Sequence, residues 1–163
     1  MLGTLDVLVV NHALGEAGGI DATSVEQLDR HLHVNVRASL LLVQAFARQV
    51  DRRRGGRIVL LTSGQDNGPM PGEIAYVASK GALQQVTATL AAELADRGVT
   101  VNAVDPGPTD TGWGIGDRDP APHMPAGRWG EPDDAARLVA WLCSDEAGWV
   151  TGQTIRSDGG FRP

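Results

Sequence analysis

Tyr76 and Lys80 stand four positions apart, and they are the only tyrosine and the only lysine in the chain. Every other basic residue is arginine. On a helix, positions i and i+4 share a face. A phenol serves as a general acid near neutral pH when its pKa falls, and a nearby ammonium lowers it by favouring the phenolate. Ser63, thirteen residues before Tyr76, ends an apolar run. Its hydroxyl could hold a substrate carbonyl oxygen near the phenol, because α/β sheets place ligand-binding groups at strand ends. Asn35 falls among apolar positions of a long helical pattern. A buried amide needs partners, so Asn35 either braces the helix or orders a water. Without Ser63 and Asn35, Tyr76 and Lys80 would read equally well as an ordinary surface pair.

The elements that must position these side chains follow from periodicity. Residues 5–10 (LDVLVV), 57–62 (RIVLLT), 99–104 (VTVNAV) and 153–156 read as buried strands. A long helix is predicted over about 23–53, with Ser24 and Gln27 in a capping-box pattern. Its inner face should carry Leu28, Leu32, Asn35, Val36, Leu40, Val43 and Phe46. Arg52, Arg53 and Arg54 form a solvated helix end. A second helix is predicted over about 74–97, stopped by Gly98, and a third over 132–144, opened by Pro132. Residues 108–130, rich in Gly and Pro, read as a substrate loop or lid. There Trp113, Met124 and Trp129 either line a pocket or pack the lid. The order β-α-β-α-β-loop-α-β predicts an α/β fold: one domain over 1–163, with a parallel sheet, helices on both faces and right-handed crossovers.

Composition narrows the function. With 14 basic against 20 acidic residues the net charge is -6, which disfavours sequence-independent nucleic-acid binding. One cysteine, Cys143, excludes an internal disulfide framework; it reads as a small core residue. His12, His31, His33 and His123 lack zinc spacing, so no metal site is expected, and His31 and His33 read as helix surface. No apolar run is long enough for a membrane span, and the start lacks a signal-peptide n-region. The expectation is a cytoplasmic protein.

These segments together resemble the short-chain dehydrogenase/reductase family. Tyr76-Val77-Ala78-Ser79-Lys80 is similar to its YxxxK motif, with Ser63 at the usual spacing. Asn35 sits where the family's helix asparagine sits, and Asn11 matches the end of its fourth strand. Val101 to Gly107 (VNAVDPG) is similar to its VNxVxPG strand end. Arg128 to Asp134 and Thr151 to Gly160 match its C-terminal segments. The resemblance implies the C-terminal portion of a Rossmann-like doubly wound fold. It also implies hydride transfer between NAD or NADP and a small-molecule alcohol or carbonyl. Tyr76 would exchange the hydroxyl proton, and Ser63 would position the substrate oxygen. Lys80 would depress the Tyr76 pKa and bind the nicotinamide ribose. Asn35 would hold a water in the relay to Lys80. Asn11, Tyr76, Lys80, Pro106, Gly107, Thr109 and Thr111 would contact the cofactor. A homo-oligomer, dimer or tetramer, would pair through the two long helices.

One departure carries weight. The family's glycine-rich turn, which seats the pyrophosphate at a helix N-terminus, has no counterpart in this sequence. The glycines at 15–19 and 112–116 have the wrong spacing. The chain therefore reads as starting at the family's fourth strand, without a mononucleotide-binding half on the order of 80 residues. The competing expectation is a catalytically silent homologue that acts as an interaction or scaffold module, or a gene-model fragment.

Overall fold

Four short runs rich in valine, isoleucine and leucine pair side by side. The computed structural model describes residues 3–112, 115 and 118–163. Its strands are β1 (Val7–Val10), β2 (Gly56–Leu61), β3 (Val99–Asp105) and β4 (Thr154–Arg156). They form one parallel sheet in the order β1-β2-β3-β4. Val10 pairs with Leu60, Leu60 with Ala103 and Ala103 with Thr154. Parallel strands cannot be joined by tight hairpins, so helices fill the connections. These are α1 (Val25–His31), α2 (Ala38–Gln49), α3 (Ile74–Leu94) and α4 (Pro132–Leu142).

Side chains alternate across each strand, and the core divides accordingly. On one face Val10, Ile58, Leu60, Val101 and Ala103 pack under Val43 and Phe46 of α2 and Ala91 and Leu94 of α3. On the other, Val59, Leu61 and Val104 pack under Leu142 of α4. Helices thus cover both faces, as predicted. The crossovers do not all share one hand. Strand order advances in one direction while α4 lies opposite α2 and α3, so the β3–α4–β4 connection has the opposite hand to the first two. The long 108–130 segment makes this reversal affordable. Its two ends are tied together by Gly130 N–H to Pro108 O at 3.0 Å and Asp110 N–H to Gly130 O at 2.8 Å.

The predicted helix over 23–53 is three pieces. Ser24 caps α1 by accepting from Gln27 N–H at 3.2 Å, but the predicted capping box does not close, because the Gln27 side chain donates to Ala17 O at 3.0 Å. A π-helical turn, Leu32–Arg37, then interrupts the α-helix before α2, and α2 stops at Gln49. The wider turn re-phases the inward face. The buried seam becomes His31, Asn35, Ser39, Val43 and Phe46, while Leu32 is 42% exposed. Leu28, Val36 and Leu40 are only partly buried. The expectation that His31 lies on the surface is wrong, because its side chain is fully buried. α3 ends as predicted: a short 3-10 turn, Ala95–Arg97, leads to Gly98 at φ 68°, a left-handed position suited to glycine.

α4 begins at Pro132, with Glu131 and Asp134 capping each other reciprocally. In the loop before it, Met124 is buried. Trp129 stacks on His123 at 6.3 Å and donates from Nε1 to Arg118 O at 3.0 Å. Both residues pack the loop. Trp113 lies outside the described residues.

Candidate active site

A parallel sheet points all its C-terminal strand ends toward one edge. Asn11 follows β1, Ser63 lies two residues past β2, and Asp105 ends β3 with Pro106 and Gly107 directly after it. The first turns of α3 carry Tyr76 and Lys80 over this edge.

The Ser63 hydroxyl lies near the Tyr76 phenol and acts to lower its pKa. Lys80, one turn further along α3, is 2% exposed and donates from Nζ to Leu61 O at 2.8 Å. Its ammonium lies 5.8 Å from the centroid of the Tyr76 ring. Burial penalises that charge, and the Lys80 pKa falls to about 8. The Tyr76 phenol is shifted the other way. Burial raises its pKa above the ordinary tyrosine value, the Ser63 hydroxyl opposes this, and the Glu73 and Asp105 charges add to it. Lys80 is not among the groups that shift the Tyr76 phenol; its amine faces a backbone carbonyl and the ring.

Asn35 is fully buried in the π-helical turn. Its Oδ1 accepts from Leu14 N–H at 2.7 Å. Its Nδ2 donates to Leu14 O at 2.9 Å and to Ser79 Oγ at 2.8 Å. Ser79 in turn donates to Tyr76 O at 2.8 Å. With both amide protons used, the side chain braces the loop against α3. The strand-end loop is held a second time at Gly18, which pairs with the start of α3 through Ile74 N–H to Gly18 O at 3.1 Å.

The turn after β3 is equally constrained. Gly107 has φ 62°, and a Cβ there would fall 2.5 Å from Asp158 Cβ. Thr109 donates its hydroxyl proton to Pro106 O at 3.1 Å. Thr111 and Asn11 are exposed. Tyr76, Lys80, Ser63 and Asn35 therefore gather at one place. Pro106, Gly107, Thr109 and Thr111 lie on the adjoining turn, and Asn11 stands at the end of the outer strand.

Three residues escaped the sequence reading. Ser79 sits inside the Tyr-Lys segment and could have been noticed as a small polar residue on the inner helix face. His31 is polar at a position i−4 from Asn35, a spacing that was available. Asp105 is the carboxyl that ends a fully buried strand and is itself 1% exposed, and only its surroundings reveal its importance. Among the described residues no cluster of three metal-ligating side chains occurs, and no helix is long and apolar enough to cross a membrane.

Comparison with known proteins agrees with this geometry. A family model described as enoyl-(acyl carrier protein) reductase matches residues 1–162. The uncharacterized oxidoreductase YjdA of Bacillus subtilis is 48% identical over 98% of this chain, which spans 65% of that relative. The human dehydrogenase/reductase SDR family member 4 is 36% identical over 97% of the chain, which spans 60% of it. Among solved structures, the angucycline C-6 ketoreductase LanV with bound NADP superposes with a TM-score of 0.86. It is 34% identical, over 96% of this chain and 62% of that one. This chain, with its Ser63–Tyr76 pair, the buried Lys80 and the parallel sheet beneath them, belongs to the short-chain dehydrogenase/reductase family.

Proposed function

We propose that the chain carries the catalytic half of an NAD(P)-dependent oxidoreductase that interconverts an alcohol and a ketone or aldehyde. The observation that carries this reading is the buried Lys80 amine 5.8 Å from the Tyr76 ring, with the Ser63 hydroxyl beside the same phenol. The donor set suits the nicotinamide end of such a cofactor. Lys80 has protons beyond the one given to Leu61 O, and Thr111 is exposed on the neighbouring turn. The nicotinamide, when bound, supplies or accepts the hydride. In carbonyl reduction, Tyr76 donates its phenolic proton to the substrate oxygen while the Ser63 hydroxyl holds that oxygen in place. The raised Tyr76 pKa keeps the phenol in its proton-donating form. Lys80 binds the ribose, and Asn35 keeps the start of α3 in register. The similarity to LanV, a ketoreductase with bound NADP, supports the substrate class and the cofactor type.

We also infer that the chain associates with a second copy of itself. Leu32 and Leu41 stand 42% and 52% exposed on the outer face of the π-helical turn and α2, where an apolar groove runs beside Leu40. Sedimentation analysis should show a dimer or tetramer, and a monomer at micromolar concentration would exclude it.

The functional test is titration of the purified chain with NADH and with NADPH, followed by turnover assays on small ketones. Absence of binding at millimolar cofactor would remove the claim that these residues alone form an enzyme. Where turnover is found, Tyr76→Phe should reduce it by roughly 100-fold or more; retained activity would exclude Tyr76 as the proton donor.

A further inference from the structure

Asp105 is the last residue of β3 and is 1% exposed. Its Oδ1 accepts from Gly107 N–H at 3.0 Å. Its Oδ2 is buried and has no hydrogen-bond partner. A Cβ placed on Gly64, the residue after Ser63, would lie 3.6 Å from that oxygen. The unpartnered oxygen therefore faces the turn that carries Ser63, whose hydroxyl neighbours the Tyr76 phenol. A buried acceptor without a partner is uncommon in a folded protein.

We propose that Asp105 is a positioning residue of the active site: its Oδ1 fixes the Pro106–Gly107 turn, and the free Oδ2 beside the Ser63 turn holds Tyr76 in its protonated, proton-donating form. The inference rests on the reading of Tyr76 as the proton donor. An ionised carboxylate near a phenol disfavours the phenolate, because the two would be like charges. A charged Asp105 thus biases the site toward carbonyl reduction, and a neutral one relaxes that bias.

The groups around Asp105 set its own charge. Burial pushes its carboxyl above the usual aspartate range, and the Asp158 and Asp66 carboxylates act in the same direction. The Gly107 N–H and the Arg156 guanidinium oppose them. Arg156 is itself engaged with Asn67 Oδ1 at 2.6 Å, so the carboxyl is incompletely compensated. Glu73, at the head of α3, acts on Tyr76 from the other side and is untouched by changes at Asp105.

The chain contains one tyrosine, so tyrosinate absorbance reports Tyr76 alone, with neither cofactor nor substrate. Asp105→Asn keeps an acceptor for Gly107 N–H and removes the charge. Its tyrosinate midpoint should lie below that of the unsubstituted chain, by a few tenths to about one pH unit, with far-UV circular dichroism unchanged. An unchanged or higher midpoint in a folded variant would overturn the proposal. If Asp105→Asn does not fold, Asp105→Ser is read in the same way. If neither stays folded where tyrosine titrates, carbon-13 NMR of the Asp105 carboxyl and the Tyr76 ring in the unsubstituted chain decides. A Tyr76 ring-carbon signal that moves with the ionisation of that carboxyl supports the proposal, and a ring signal blind to it rejects it. Failure to bind NAD(P)H would count against the oxidoreductase reading and would leave each of these measurements intact.

Discussion

Asn35 and Ser79, forty-four residues apart in the chain, share a buried hydrogen bond of 2.8 Å. Through it the π-helical turn, the 11–19 loop and the first turns of α3 become one unit. Asn35 also holds both backbone groups of Leu14, and Ser79 bonds to the Tyr76 carbonyl. The position of Tyr76 therefore depends on a residue that does not touch it.

Asn35→Leu should be costly. It strands the Leu14 backbone groups and the Ser79 hydroxyl, and each unmet buried group costs about 1–3 kcal/mol. Urea unfolding should show a loss of about 2–5 kcal/mol in total, with the slope of the transition unchanged. A loss below about 1 kcal/mol would mean that water replaces the amide freely.

Lys80 gives a pH signature. Its folded-state pKa of about 8 lies below the ordinary 10.5, so the unfolded chain binds more protons between those values. The resulting penalty on folding is fully present below about pH 8 and disappears as the pH rises to 10.5. The unsubstituted chain should therefore gain stability relative to Lys80→Met across that window, by on the order of 3 kcal/mol. Parallel stability curves for the two proteins would refute the shift. Because Lys80 is the only lysine, selective labelling should also give one side-chain NMR signal, titrating near 8 rather than 10.5.

His31 is a second brace for the 11–19 loop. Its Nδ1 donates to Gln27 O at 2.8 Å and its Nε2 accepts from Glu16 N–H at 3.2 Å. A carbonyl can only accept and an amide N–H can only donate, so the ring is neutral with its proton on Nδ1. His31→Leu should cost about 1–3 kcal/mol and speed amide exchange at Glu16 ahead of global unfolding. Unaltered exchange at Glu16 would show that Gly18 and Asn35 hold the loop without it.

Gly107→Ala tests the turn after β3. The substitution meets a positive φ and a Cβ–Cβ approach of 2.5 Å to Asp158. A loss of about 2–4 kcal/mol is expected, together with weaker nicotinamide binding wherever binding is detected. Neutral behaviour in both assays would mean that the turn and the 157–160 segment shift apart at little cost.

Much of the fold is legible in local pattern. The strand runs are short and apolar, Gly98 stops α3, and Pro132 with Glu131 opens α4. The pairing of Tyr76 with Lys80 follows from helical spacing alone, and Ser63 follows from its place past a strand end. These features are decided within a few residues, so sequence determines them.

The remainder needed the tertiary structure. The π-helical turn changes the rotational phase of the helix, so His31 and Ser39 join Asn35 on the inner face while Leu32 turns outward. Periodicity counted at 3.6 residues cannot anticipate that extra residue. The hand of the last crossover depends on which sheet face α4 finds open. The proton affinities of Tyr76, Lys80 and Asp105 depend on how deeply the assembled strands, loops and α3 bury them. Burial and charge around a site come from segments far apart in the chain, and only folding brings them together.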